Sequence, residues 1–192
     1  MFIDVVIPSG NEEEFVKRAE LLETKGLIFL YEENDKKNLE RVKNIKTSVR
    51  LFFGMLNKVS SRYDYIFSTG AREHFENKKF DVVFDLEMQF QKDKHHYRSS
   101  GLNQVLSILA KEKGISIAFN FNEILKGKKR EMIIGRMKQN VMLCQKYGVG
   151  MFLASFAKKP NEMRAWKDLT SFGVTLGMNK KEAKEASLNR KV

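Results

Sequence analysis

Ser116-Ile117-Ala118-Phe119-Asn120, then the stretch from Arg130 to Tyr147, then Met151-Phe152-Leu153-Ala154 decide the fold class. The two outer segments are almost continuously apolar rather than alternating. That pattern belongs to strands buried on both faces of a parallel sheet. Between them, Ile134, Met137, Val141 and Cys144 recur at steps of three, four and three, which predicts a long helix with one buried face. Two parallel strands need a crossover connection, and a helix of this length supplies one. Cys144, on that face, reads as a core thiol.

The same unit recurs on either side. Asn103 to Lys113, with Val105, Leu106 and Leu109, predicts the helix that leads into Ser116–Asn120. At the other end of the chain, Phe2-Ile3-Asp4-Val5-Val6-Ile7 reads as a buried strand closed by Pro8-Ser9-Gly10. It is followed by a helix over Asn11 to Lys25 through Phe15, Ala19 and Leu22, for which Gly26 is the expected stop. Leu27 to Tyr31 and Val49 to Gly54 are further runs flanking a charged helix through Leu39, Val42 and Ile45. Tyr65 to Ser68 and Val82 to Asp85 flank a short helix over Ala71 to Asn77, and the tail from Asp168 to Leu188 reads as helical. Seven apolar runs separated mostly by helices leave an open doubly wound sheet or a barrel. A full eight-stranded barrel takes about 250 residues. At 192 residues this chain is expected to be one α/β domain over 1–192, TIM-barrel-like, compact, and with fewer than eight regular strands.

Composition narrows the function. With 42% hydrophobic residues, 15 of them Phe and 9 Met, a continuous core is possible, and disorder and collagen are excluded. A single Cys excludes an internal disulfide and a multi-cysteine metal site. With no signal peptide and no membrane-length apolar run, the expectation is a reduced, cytoplasmic protein away from membranes. The net charge of +11 is unevenly placed, because residues 1–40 hold ten acidic and only five basic side chains. The positive field over the rest of the chain points to a polyanion such as nucleic acid, or to an acidic protein or membrane surface; the plainer reading is well-solvated lysines.

The chemistry-bearing residues are sparse. His74, His95 and His96 are too few, and too poorly matched by Asp4, Asp85 and Glu87, for the ligand set of a barrel metallohydrolase. There is no nucleophile elbow and no P-loop, and Gly148-Val149-Gly150 lacks the third glycine of a dinucleotide fingerprint. Asp85 and Glu87 could work as an acid–base pair, but alternate residues of a continuing strand point to opposite faces. No catalytic residue and no cofactor is assigned.

Basic residues, by contrast, fall into three groups, each after a predicted strand. Lys92-Asp93-Lys94-His95-His96-Tyr97-Arg98-Ser99-Ser100 offers cations for phosphates and rings for stacking on unpaired bases, unless Tyr97 packs back on the barrel. Between Lys126 and Lys138 six basic side chains (Lys126, Lys128, Lys129, Arg130, Arg136, Lys138) stand against Glu131 alone. Such a group at a helix N-terminus, where the dipole is already positive, is stable mainly beside an anion. Lys158-Lys159 with Arg164 and Lys167 form the third group. In a parallel barrel all three lie on the rim that carries the βα loops.

Three segments resemble the archaeal ribonuclease P protein component 3 family, relatives of a eukaryotic nuclear ribonuclease P subunit. They are His96-Tyr97-Arg98-Ser99-Ser100-Gly101-Leu102-Asn103-Gln104-Val105-Leu106, Ile117-Ala118-Phe119-Asn120-Phe121, and Gly135-Arg136-Met137-Lys138-Gln139-Asn140-Val141-Met142-Leu143-Cys144. Ala154-Ser155-Phe156-Ala157, Glu162-Met163-Arg164, Asp168-Leu169-Thr170-Ser171-Phe172-Gly173-Val174-Thr175-Leu176-Gly177-Met178 and Glu182-Ala183-Lys184 keep the family's order. The likeness is strong from about His95 to Leu188 and generic before it. Two departures stand out: Trp166 occupies a position where proline is expected, and the acidic first forty residues match no family motif.

The resemblance implies a TIM-barrel-like fold related in shape to metal-dependent phosphoesterases but without their metal ligands. It implies a noncatalytic subunit that binds and supports the ribonuclease P RNA in removing the 5′ leader of precursor tRNA, paired with ribonuclease P protein component 2. Magnesium is then expected on the RNA, and this chain needs neither metal nor cofactor of its own. The implied RNA contacts are Arg98, Arg136 and Arg164, with Lys94, His96, Lys128, Lys129, Arg130, Lys158 and Lys159 as further phosphate or base contacts. The alternatives are a divergent barrel phosphoesterase and a protein-only interaction module.

Overall fold

The computed structural model describes residues 1–33, 36–76 and 79–188. Its strands are β1 (Ile3–Val6), β2 (Gly26–Tyr31), β3 (Arg50–Leu56), β4 (Tyr65–Ser68), β5 (Val82–Val83), β6 (Ser116–Asn120) and β7 (Met151–Ala154). They form one sheet in the order β1-β2-β3-β4-β5-β6-β7, every pair parallel. Sequential order rules out the doubly wound alternative, whose strand order reverses at a switch point. The helices are α1 (Glu12–Leu21), α2 (Lys36–Lys43), α3 (Arg72–Glu76), α4 (Gln104–Lys113), α5 (Phe121–Lys126), α6 (Arg130–Tyr147), α7 (Trp166–Thr175) and α8 (Lys180–Leu188). The result is the expected TIM-barrel-like α/β fold with seven strands among the described residues.

Alternation along the strands builds two apolar layers. Ile3 and Val5, Ile28 and Leu30, Phe67, Phe152 and Ala154 fill the barrel interior. Phe67 is its hub, meeting Phe84, Phe152 and Phe156 edge-to-face with ring centroids 6.1, 6.3 and 6.2 Å away. The opposite faces carry Leu27 and Phe29 against Phe15 and Ala19 of α1, and Ile117, Phe119 and Leu153 against Met137, Val141 and Cys144 of α6. Both faces of the strands are therefore dry except in β3, whose first half is only half-buried, and this is why the sequence runs are continuous. Burial pushes the Cys144 thiol up to about 12, so at neutral pH it is inert packing.

The barrel closes where β1 meets the end of β7. Ile7 donates its N–H to the Ala157 carbonyl at 2.9 Å, and Val6 bridges Ala157 in parallel. A side-chain stitch reinforces this seam. One oxygen of the fully buried Asp4 carboxylate accepts the Val5 N–H at 2.9 Å and the Ser155 N–H at 2.7 Å, and the other accepts the Ser155 hydroxyl at 2.7 Å. Burial raises the Asp4 carboxyl to about 6, and the Ser155 and Val5 donors oppose that rise.

Several local expectations are corrected. α1 ends at Leu21 rather than Lys25, and Glu23 turns the chain with a φ of 55°. Gly26 is the first residue of β2, not a helix stop; a Cβ there would lie 2.9 Å from Ile3 Cγ1 and 3.2 Å from Phe52. The third helix spans Arg72–Glu76, and the expected end at Asn77 lies outside the described residues. β5 stops at Val83, because Asp85 adopts a φ of 57° and starts a 3-10 turn over Leu86–Met88. The tail is two helices, broken at Gly177 with its φ of 106°. On α6, Ile133 is buried and Ile134 only half-buried, a small rotation of the expected face.

Candidate nucleic-acid interface

The loop that leaves β5 determines the site. From Glu87 to Ser100 this loop is tied to α6, held by a guanidinium. Arg136, on α6, has 0% of its side chain exposed. Its Nε donates to Asp93 Oδ1 at 2.7 Å, and its Nη1 donates to the carbonyls of Glu87 and Phe90, both at 2.7 Å. The Ser99 N–H reaches the same Asp93 oxygen at 2.9 Å. Burial alone would raise the Asp93 carboxyl, but the Ser99 N–H and the Arg136 guanidinium together hold it below the ordinary carboxylate value.

Three more contacts complete the clasp. Asn140 Nδ2 donates to the Ser100 carbonyl at 2.9 Å. Arg98 donates to the Gly135 carbonyl at 3.3 Å and lies across that glycine, where a Cβ would come within 3.2 Å of its guanidinium. Gly101, with a φ of 82°, packs against the Leu86 backbone so closely that a Cβ would fall 2.2 Å from the carbonyl oxygen. The two segments that most resemble the family thus grip each other. This corrects the expectation for Arg136, since a guanidinium with no exposed surface braces the loop and has none to offer a phosphate. The sequence does carry the signal: Arg136 and Asn140 stand one helical turn apart within the stripe of Ile133, Met137 and Cys144.

The remaining candidates are at the surface. Lys94, His96, Arg98, Lys128, Lys129, Arg130, Lys158 and Lys159 are exposed. Arg164 is half-buried, donates to the carbonyls of Asn161 and Met163, and lies 5.6 Å from the centre of the Phe121 ring. Tyr97 is 62% exposed and does not pack back on the barrel. Arg130 donates to the Leu125 carbonyl at 2.7 Å, which turns the chain from α5 into α6. The short α5 is an addition to the expected elements, so the second basic group belongs to a helix–helix junction rather than a strand end. Polar links join the three groups. Lys92 shares a cleft with Lys128 and Lys129. An ion pair of 2.6 Å ties Lys126 to Glu162, which also accepts the N–H groups of Lys158 at 2.9 Å and Lys159 at 3.1 Å. Those hydrogen bonds and the Lys126 charge hold the Glu162 carboxyl low against the opposing effect of burial.

The acids at the rim are of a different kind. Asp85 is raised to about 6 by burial, and accepts the Asn120 side-chain N–H at 2.9 Å. Glu87 is fully buried, with both carboxyl oxygens lacking a partner among the described residues. Burial, with the charge of Asp85, raises it to about 8. His74 is engaged by the Ser68 hydroxyl and packs at a tilt against Phe80, with centroids 4.3 Å apart. Among the described residues no group of three or more His, Cys, Asp and Glu is placed to hold a metal ion. No helix there is long and apolar enough to cross a membrane.

Comparisons with known proteins agree with the geometry. Over 144 residues the chain is 28% identical to ribonuclease P protein component 3 of Methanosarcina mazei; the match covers 69% of this chain and 55% of that protein. Among solved structures it resembles a chain in a cryo-EM structure of archaeal ribonuclease P with mature tRNA. There the TM-score is 0.76 at 21% identity, over 96% of this chain and 86% of that one. It also shares its shape with a histidinol phosphate phosphatase from Lactococcus lactis, solved with zinc, L-histidinol and phosphate, with a TM-score of 0.63 at 8% identity over 95% and 93% of the two chains. At such identities the structural matches speak for the barrel alone. The family model described as RNase P subunit p30, however, matches residues 39–191, taking in every segment of the clasp, and this chain is a member of that family.

Proposed function

We propose that this chain is a noncatalytic protein subunit of ribonuclease P, which binds the catalytic RNA and supports removal of the 5′ leader from precursor tRNA. The observation that carries this reading is the joined basic surface: three groups of exposed cations, after β5, at the α5–α6 junction and after β7, linked by the shared cleft and by the Lys126–Glu162 pair. Family membership adds its weight. Lysine and arginine side chains on that surface neutralise phosphates that would otherwise repel one another in folded RNA, and counterion release drives the association. Less magnesium, held by the RNA, is then needed to reach the active RNA fold. Ribonuclease P protein component 2 is the proposed protein partner and the cytoplasm the proposed compartment, with no membrane involved. The Arg136 clasp contributes by fixing the loop that carries Lys92, Lys94 and Arg98.

The test is precursor-tRNA cleavage by the cognate RNA with component 2 at limiting magnesium, with and without this chain. Stimulation that requires the RNA supports the subunit reading; indifference overturns it. The other reading is a divergent barrel phosphoesterase, with the neighbouring carboxyls Asp85 and Glu87, both raised by burial, as its acid–base pair. Phosphoester cleavage by the chain alone, lost in Glu87→Gln, would establish that reading instead.

A further inference from the structure

Between the loop after β5 and the start of α6 lies a cleft of about 330 Å³. That is the lower end of the size range of small-ligand sites, about 300–1,000 Å³, and too small to admit a duplex. Its walls are apolar: Met88 and Phe90 on one side, 44% and 48% exposed, face Met132 and Ile133 on the other. Large apolar side chains left open on a strongly basic surface call for an occupant with a flat apolar face. The rim carries Lys92, Lys128 and Lys129. Lys129 caps α6 without a side-chain hydrogen bond, and the first N–H paired within that helix is Ile133 to the Lys129 carbonyl, so the donors before it point to an anion.

An independent observation comes from the lining. Glu87 and Arg136 belong to it, both are fully buried, and both Glu87 carboxyl oxygens and Arg136 Nη2 have no partner among the described residues. Buried polar atoms without partners are rare in folded proteins. Apolar walls and a cationic rim match two parts of a nucleotide, the ring faces and the phosphate, while the unpaired polar atoms of Glu87 and Arg136 lie beneath the cleft surface and mark its floor as the poorly satisfied part of the clasp.

We infer that this cleft seats one unstacked nucleotide of single-stranded RNA, its base between Met88/Phe90 and Met132/Ile133 and its phosphate on Lys92, Lys128 and Lys129. The inference deepens the RNA-subunit reading and rests on it for the source of the nucleotide. It adds a base contact to the basic surface, because phosphate contacts position a strand without reading its sequence whereas a captured base can be read.

The experiment uses the full chain with labelled Met and Ile methyl groups, titrated with the four nucleoside 5′-monophosphates and, separately, with inorganic phosphate. Nucleotides should shift the Met88, Met132 and Ile133 methyl signals saturably, and phosphate should not. In parallel, the double variant Met88→Ser with Phe90→Ser, at two exposed positions, should bind a short single-stranded RNA about ten-fold more weakly with an unchanged salt slope. If nucleotides leave these methyls unmoved and the double variant binds RNA like the parent, the cleft is not a base site, while RNA-dependent stimulation of cleavage would still uphold the subunit reading. If the chain neither binds RNA nor stimulates cleavage, yet nucleotides shift the methyls, the subunit reading falls and the cleft stands as a mononucleotide site.

Discussion

Two fully buried carboxyl groups, one at the barrel seam and one beside the cleft, show how differently the same burial can be used. Asp4 takes three hydrogen bonds, two from backbone N–H groups and one from the Ser155 hydroxyl, and its carboxyl rises only to about 6. Glu87 is met by no other residue's donor, lies beside the Asp85 charge, and rises to about 8. Burial disfavours the charged form in both cases; donors aimed at the anion limit the rise at Asp4, and the neighbouring Asp85 charge adds to it at Glu87. The seam is a satisfied polar site, built to hold two strand ends together. The cleft base is an unsatisfied one, held in place by the Arg136 clasp around it.

The comparison can be broken in order of expected effect. Arg136→Met, which leaves the Glu87 and Phe90 carbonyls without their donor and the part-exposed Asp93 without its cation, should cost about 3–5 kcal/mol by urea unfolding. A loss under about 1 kcal/mol would mean that the clasp does not hold the loop. Asp4→Ala strands the Ser155 donors at the seam and should cost about 2–4 kcal/mol. Glu87→Gln, by contrast, removes a buried carboxyl that no other residue's donor meets, and should be nearly neutral at pH 5 and stabilising by about 3 kcal/mol at pH 9.

The sign of that pH dependence follows from the raised values. Between the ordinary glutamate value of 4.5 and about 8, the folded state keeps a proton on Glu87 that the unfolded chain has released. Stability therefore falls as pH rises across that window, and Asp4 adds a similar loss between 3.8 and about 6. Unfolding midpoints of the parent and Glu87→Gln measured from pH 5 to 9 should diverge steadily; parallel curves would show that Glu87 is solvated. The smallest stability effect belongs to Lys128→Ala, Lys129→Ala and Arg130→Ala combined, within about 0.5 kcal/mol per site. The same triple change should lower the salt slope of single-stranded RNA binding by about 0.7 for each phosphate the variant no longer neutralises. An unchanged slope would remove this junction from the interface.

Much of the molecule is legible in its sequence, for reasons that differ by element. Ser116–Asn120, Arg130–Tyr147 and Met151–Ala154 are readable because local periodicity and double-sided burial leave their mark residue by residue. So is the burial of Cys144. The seam is not, because Asp4 and Ser155 stand 151 residues apart and nothing local announces their pairing. α5 escapes because Phe121–Lys126 is too short to show a period, and its start depends on Asn120 accepting the Asn122 N–H. Arg136 misleads because residue type is a poor guide to destination: a guanidinium inside a matched motif looks like a phosphate ligand, although its place on the inner stripe of α6 points inward. The cationic groups show in the composition, but their joining through Lys126 and Glu162 needs the fold.

The seam also sets a timetable for the newborn chain. β1 is made first, yet its second neighbour, the Ser155–Ala157 segment, leaves the ribosome only after six further strands. Until then one side of β1 is a raw edge of unpaired N–H and C=O groups, open to pairing with another nascent chain. Closure is thus the slow, late event in making this protein, and the interval before it is when the barrel is most exposed to misassembly.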